Sequence, residues 1–123
     1  MRDAARAIAA GRIAFGVAAV VAPRLAGGAW VGRDGLRPGT TVITRALGAR
    51  DVLLGMMALH TLDRPEVARR WQLSLAACDA VDGLATLAAG AGVRRHGAAV
   101  ALASAAVEVA VARSLVSPPA PSA

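Results

Sequence analysis

The chain has no tyrosine, a single phenylalanine (Phe15), two tryptophans (Trp30 and Trp71) and one cysteine in 123 residues, and every basic residue is arginine. Each shortage removes a class of function. One cysteine, Cys78, excludes an intramolecular disulfide. Its apolar neighbours predict a buried, inert small side chain, not a reactive thiol. The formal charge of +6 invites a nucleic-acid reading, but the arginines are scattered between apolar runs, with no basic stripe and no aromatics to stack on bases. No nucleic-acid partner is expected. No phosphate loop, nucleophile elbow or zinc spacing occurs, so no cofactor is expected. The arginine-only, alanine-rich composition is what a high-GC genome produces, and one arginine taken alone means little.

What is present is hydrophobic: 56% apolar residues and a mean hydropathy of +0.53. The apolar residues run around the predicted helices instead of forming one stripe, which is the pattern of a membrane span. Four segments have spanning length: about Ala5–Ala22, Thr40 or Thr41 to Leu62, Trp71–Ala89, and Ala98–Val116. At 1.5 Å per residue each covers roughly the 30 Å hydrocarbon layer. Pro23 ends the first, and a Gly/Arg loop leads to the second, with Thr40 or Thr41 as N-cap. A charged stretch, residues 63–70, precedes the third. Gly90-Ala91-Gly92 and Arg94-Arg95-His96-Gly97 separate the third from the fourth.

The expected fold is therefore all-α, a four-transmembrane-helix antiparallel bundle over residues 1–116, followed by a disordered proline-rich tail at 117–123. Short connections make neighbours antiparallel and put both termini on one side. That side carries Arg2, Arg6, Arg64, Arg69, Arg70 and Arg113; the other carries Arg24, Arg33, Arg37, Arg94 and Arg95. The one-arginine excess favours cytoplasmic termini in a multi-pass inner (plasma) membrane protein. Trp30 and Trp71 fall near segment edges, where interfacial tryptophan belongs. A soluble alanine-rich bundle and a cleaved leader at residues 1–22 are the competing readings. Against the leader, Arg12 interrupts the apolar stretch and no clean cleavage site follows.

The ionisable residues inside the spans are the informative ones: Arg12; Arg45, Arg50 and Asp51; Asp79 and Asp82; Glu108. Three- and four-residue spacing shares a helix face. Arg12 then aligns with Ala5, Ala9, Gly16 and Ala19; Asp51 with Gly48 and Gly55, with Arg45 reaching the same side. Asp79 and Asp82 lie together, flanked by Leu75, Thr86 and Gly90, and Glu108 aligns with Ala101, Ser104 and Ala112. Small residues mark helix contacts in membranes, so these charges point inward and the large residues such as Leu53, Leu54, Met56, Met57, Leu84 and Leu87 point outward. Arginine stays charged and must be paired. The expected pairs are Arg50 or Arg45 with Asp79 and Asp82, and Arg12 with Glu108 or Asp51.

The octapeptide Gly48-Ala49-Arg50-Asp51-Val52-Leu53-Leu54-Gly55 resembles a recurrent group of small four-helix integral membrane proteins of high-GC bacteria. The likeness extends to Gly11-Arg12, Phe15-Gly16, Pro23, Trp30 with Gly32, and Asp79 with Asp82. It implies a four-helix membrane fold and brings no activity or catalytic residue with it.

Two functions compete, and the first is the one expected, with the second as its alternative. In the first, the Arg/Asp/Glu network is structural, in an accessory subunit whose partners are lipid, another membrane protein or a second copy. In the second, a carboxylate (Asp79, Asp82, Glu108 or Asp51) is the general acid of a membrane-embedded enzyme acting on a lipid-soluble substrate, by isomerisation, cyclisation or epoxide opening. The scarcity of π faces argues against a carbocation cyclase. A pocket of roughly 300 Å³ or more beside the acids separates the two readings. A small transporter is a third idea, but four short helices leave little room for a pore. A divalent cation on Asp79, Asp82 and Glu108 would compete with the arginines for the same oxygens. No metal is expected. His60 and His96 fall at helix ends, where solvated or capping roles dominate.

Overall fold

A computed structural model describes residues 2–90, 93 and 95–115. The proline-rich tail, Val116 and Arg94 lie outside the described residues. Those described are all-α: α1 (Arg2–Val21), α2 (Pro23–Val31), a 3-10 helix (Gly32–Leu36), α3 (Pro38–Thr61), α4 (Pro65–Ala88) and α5 (Arg95–Ser114).

Proline sets three of the starts. Pro23, Pro38 and Pro65 occupy the first turn of α2, α3 and α4, where a missing N–H leaves no bond unmade. This corrects three expectations. The Gly/Arg loop after Pro23 is helical, because proline begins a helix as readily as it ends one. Arg37, not Thr40 or Thr41, caps α3, and the Thr41 hydroxyl donates back to the Pro38 carbonyl at 2.7 Å. Residues 65–70 are the first turns of α4, not a separate segment. Two glycines with positive φ, Gly32 (74°) and Gly90 (85°), follow α2 and α4, in a conformation other residues rarely adopt.

The long helices associate as two close pairs. In the α1–α3 pair, a Cβ added to Gly16 would lie 2.5 Å from the Gly48 carbonyl oxygen, and one on Gly55 would meet Ile13 at 2.6 Å. In the α4–α5 pair, a Cβ on Gly83 would meet Leu102 at 2.8 Å. The partners run antiparallel, since Gly16 faces Gly48 while Ala9 faces Gly55. The buried side of α1 is Ala5, Ala9, Arg12, Gly16 and Ala19, the same face that the spacing picks out.

Between the pairs the interior changes with depth. At the end near the chain termini, Ala5, Leu62 and Val111 form one apolar layer. Ala9, Ala58 and Leu75 form the next. One turn further on, Arg12 stands with Asp51, Asp79 and Glu108. Beyond that layer α2 bridges the pairs, touching α1 and α3 on one side and α5 on the other. Gly27 of α2 rests on Gly35 and Thr44, and the Trp30 ring lies against Gly97 of α5.

The distribution of side chains is inverted relative to a water-soluble domain. Among the described residues, every buried hydrophobic one apart from Leu62, Leu75 and Val111 is alanine, while Leu25, Val42, Ile43, Leu53, Val81 and Leu84 are among the exposed ones. Among the described residues, α1 and α5 are long and apolar enough to cross a membrane. The helices α3 and α4, each 24 residues, are long enough, but arginine and aspartate lower their hydropathy. The expected four spans are thus two by that measure.

Candidate functional site

Arg12 is the hub of the charged layer. Its Nη1 donates to Asp51 Oδ1 at 3.3 Å, and its Nη2 donates to Asp79 Oδ2 and Glu108 Oε1, each at 2.7 Å. One guanidinium on α1 therefore reaches α3, α4 and α5. Arg50 makes the second tie, with Nη2 2.7 Å from Asp82 Oδ2 and 3.2 Å from Asp51 Oδ1. The planar fork of arginine suits this task because it can face several carboxylates at once.

Burial grades outward from the hub. Glu108 is completely buried, the Arg12 side chain is 7% exposed and the Asp79 side chain 10%, whereas Arg50 and Asp82 are near one third. Two polar atoms of the hub, Arg12 Nε and Glu108 Oε2, are buried with no hydrogen-bond partner among the described residues. The four carboxylates outnumber the two guanidiniums. In a poorly solvated site that excess is a strong attraction for positive charge.

The cluster is not sealed. Arg12, Arg50, Asp51, Asp79 and Asp82 form part of the wall of a cavity of about 700 Å³. Its other walls are mostly apolar. Phe15 and Trp30 stand on one side, their ring centroids 6.0 Å apart. Ile43 and Val100 line it and are also exposed, so the cavity communicates with the outer surface. Trp30 is fixed there by its Nε1–H, which donates to Thr86 Oγ1 at 3.1 Å, and Thr86 Oγ1 donates in turn to the Asp82 carbonyl at 2.7 Å.

The expected site residues separate into three groups. Arg12, Arg50, Asp51, Asp79 and Asp82 line the cavity; Glu108 pairs with Arg12 but does not line it. Glu108 is therefore a support for Arg12, not a candidate to touch a ligand. Arg45 is exposed and its Nε donates to the Val20 carbonyl at 3.2 Å, which corrects its placement in the network. Six residues before Asp51, it is rotated away by about 120° on a helix of 3.6 residues per turn. The pairing also differs from expectation, since Asp79 belongs to Arg12, not to Arg50 or Arg45. Arg45→Ala is expected to change the unfolding midpoint in detergent by the equivalent of no more than about 0.5 kcal/mol; a larger loss would place Arg45 back in the network.

Three further assignments follow. The Arg12 Nη2 atom lies between Asp79 and Glu108, where a divalent cation would have to sit. Among the described residues no group of three His, Cys, Asp or Glu side chains is arranged to hold a metal. Cys78 is half-buried, not buried as expected, because one residue from Asp79 turns it about 100° from the inward direction. His60 and His96 are exposed, and His96 Nε2 lies 2.7 Å from the Ala29 carbonyl, linking α5 to α2. Gln72, which the charged-residue pattern does not single out, is 1% exposed. Its position seven residues before Asp79, two turns on the same face, was the available signal.

No family model matches the chain, and no curated protein or solved structure matches it either.

Proposed function

We propose that this chain is a four-span integral membrane protein, an antiparallel bundle of α1, α3, α4 and α5, that binds a lipid-soluble molecule with its polar end at the Arg12/Asp79/Asp82 cluster. The observation that carries the binding role is the cavity itself: apolar walls lead to a charged floor, the usual plan of a site that orients an amphiphilic ligand. A network serving structure alone has no use for an opening of about 700 Å³ beside its charges.

The membrane part of the reading rests on the inverted distribution of side chains. Leucine, valine and methionine face outward while alanine, glycine and ion pairs face inward, as expected where helices pack in lipid. For α3 and α4 the charges that lower hydropathy, Arg50, Asp51, Asp79 and Asp82, are paired with one another or with α1. Their insertion as part of a bundle is less costly than single-helix hydropathy indicates. The resemblance to small four-helix membrane proteins of high-GC bacteria belongs to the same reading, as do the inner membrane location and cytoplasmic termini.

A second reading keeps the site and adds chemistry. Asp79 and Asp82 each receive arginine on Oδ2, and Oδ1 of each makes no arginine contact among the described residues. Either could pass a proton to a bound substrate as general acid.

The test is extraction followed by mass spectrometry of what copurifies. The chain is expected to stay in the membrane pellet after an alkaline wash and to leave it only with detergent, carrying a lipid-soluble compound. Ser104→Phe, which projects a ring from α5 into the cavity, is expected to remove that compound without releasing the protein from the membrane. A chain that is monomeric and helical in plain buffer overturns the membrane assignment; a compound retained at full occupancy by Ser104→Phe overturns the cavity.

A further inference from the structure

The geometry points to an ammonium-bearing amphiphile, a long-chain primary or quaternary amine, as the class of molecule this cavity selects. The inference rests on the binding role proposed above and deepens it. Three observations converge on the head group.

The first is charge. Asp51, Asp79, Asp82 and Glu108 surround two guanidiniums. A neutral head leaves the negative excess where it was, and an anionic head adds to it. Neither arginine is spare for an anion, since Arg12 already serves three carboxylates and Arg50 two. A cationic head completes the layer without a proton having to be added to a carboxylate.

The second is the unmet capacity of the same layer. Asp79 and Asp82, which line the cavity, each hold arginine through Oδ2, and Oδ1 of each makes no arginine contact among the described residues. Ammonium supplies what is lacking, as donors in the primary amine and as positive charge in the quaternary one. The buried Arg12 Nε, which has no hydrogen-bond partner among the described residues, does not alter this balance, because it is one donor against two acceptors.

The third is aromatic placement. Two of the three aromatic side chains in the chain, Phe15 and Trp30, line this cavity. Phe15 follows Arg12 by three residues and so stands one turn above it on the same face. Trp30 is bonded through Thr86 to the backbone of Asp82. Trp30 is thus tied to the turn that carries Asp82, with Phe15 beside it at 6.0 Å, and acids with π faces are the combination that attracts an ammonium group. The apolar remainder of the wall takes the alkyl chain.

The experiment uses the full chain in nonionic detergent with Trp71→Phe, so that Trp30 is the sole fluorescent reporter. Dodecylamine, dodecyltrimethylammonium, dodecanol and dodecanoate are titrated separately at neutral pH. Both cations are expected to change Trp30 emission at concentrations about tenfold below dodecanol, with no response to dodecanoate. Asp82→Asn and Asp79→Asn are expected to raise the amine midpoints by about tenfold while leaving the dodecanol response, which reports that the variants remain folded. Ser104→Phe is expected to abolish every response. Equal midpoints for amine and alcohol, or a preference for dodecanoate, overturn the cationic assignment and leave the cavity standing as a binding site. Silence of Trp30 toward all four probes overturns both.

Discussion

Arg12→Met is expected to be the most damaging single substitution in the chain, lowering stability by about 3–5 kcal/mol. In a chain of this size that is a fall on the order of 10 °C or more in the unfolding midpoint, read by circular dichroism in nonionic detergent. The cost comes from what is left behind and not from the side chain removed. Asp51, Asp79 and Glu108, drawn from three helices, would face one another with no cation between them. Charges in so poorly solvated a place are costly unless paired. Arg12→Lys separates charge from geometry: a single ammonium cannot match a fork that spans Asp51 on one side and Asp79 with Glu108 on the other. It should recover part of the loss, and least of all in amphiphile binding. Replacing all four residues by apolar ones of similar volume is expected to restore stability, since a well-packed apolar layer often equals a buried ion network. That variant should lose selectivity for the amine. An Arg12→Met protein that unfolds within about 2 °C of the parent would mean that the network carries little of the fold, a shift worth well under 1 kcal/mol.

The sequence made much of this layer readable because two signals agreed. Three- and four-residue spacing put Arg12, Asp51, Asp79 and Glu108 on the same faces as glycine and alanine, and both kinds of residue are drawn inward for separate reasons. Where the signals parted, the reading failed. Arg45 has the long side chain of an ion-pair partner but stands about 120° from Asp51, and reach does not set direction. Asp79 and Asp82 share a face of α4, which suggests a common partner on α3, yet the one turn between them puts Asp79 on Arg12 and Asp82 on Arg50. The segment after Pro23 looked like a loop because it is rich in glycine. Tertiary contact overrode that propensity, since Gly27 is needed for close approach to Gly35 and the helix for carrying Trp30 over the cavity. No sequence pattern announces a cavity, because a cavity is the space that side chains from separate helices leave unfilled.

Gly48→Ala is expected to be nearly as harmful as loss of Arg12, although it adds a single methyl group. The new Cβ would lie 2.6 Å from the Gly16 carbonyl oxygen and 2.8 Å from the Ala19 Cβ. The first of these atoms is backbone, so no rotamer change relieves the clash and α1 must move away from α3. Overpacking of this kind costs about 1–3 kcal/mol. Here the cost extends further, because Arg12 precedes Gly16 by one turn and Asp51 follows Gly48 by one turn. Separating the helices lengthens the 3.3 Å contact between Arg12 and Asp51 and widens the floor of the cavity. Gly11→Ala provides the opposite sign: it lies in α1 with nothing within 4 Å of its added Cβ, and alanine in a helix interior gains about 0.5–1 kcal/mol over glycine. The pair is measured by thermal unfolding in detergent together with the Trp30 response to dodecylamine. Gly48→Ala should lose both stability and amine selectivity, while Gly11→Ala should raise the midpoint. Equal, small gains from both substitutions would show that α1 and α3 do not meet through their glycines, and the close approach that orients Arg12 toward its three carboxylates would have to be abandoned.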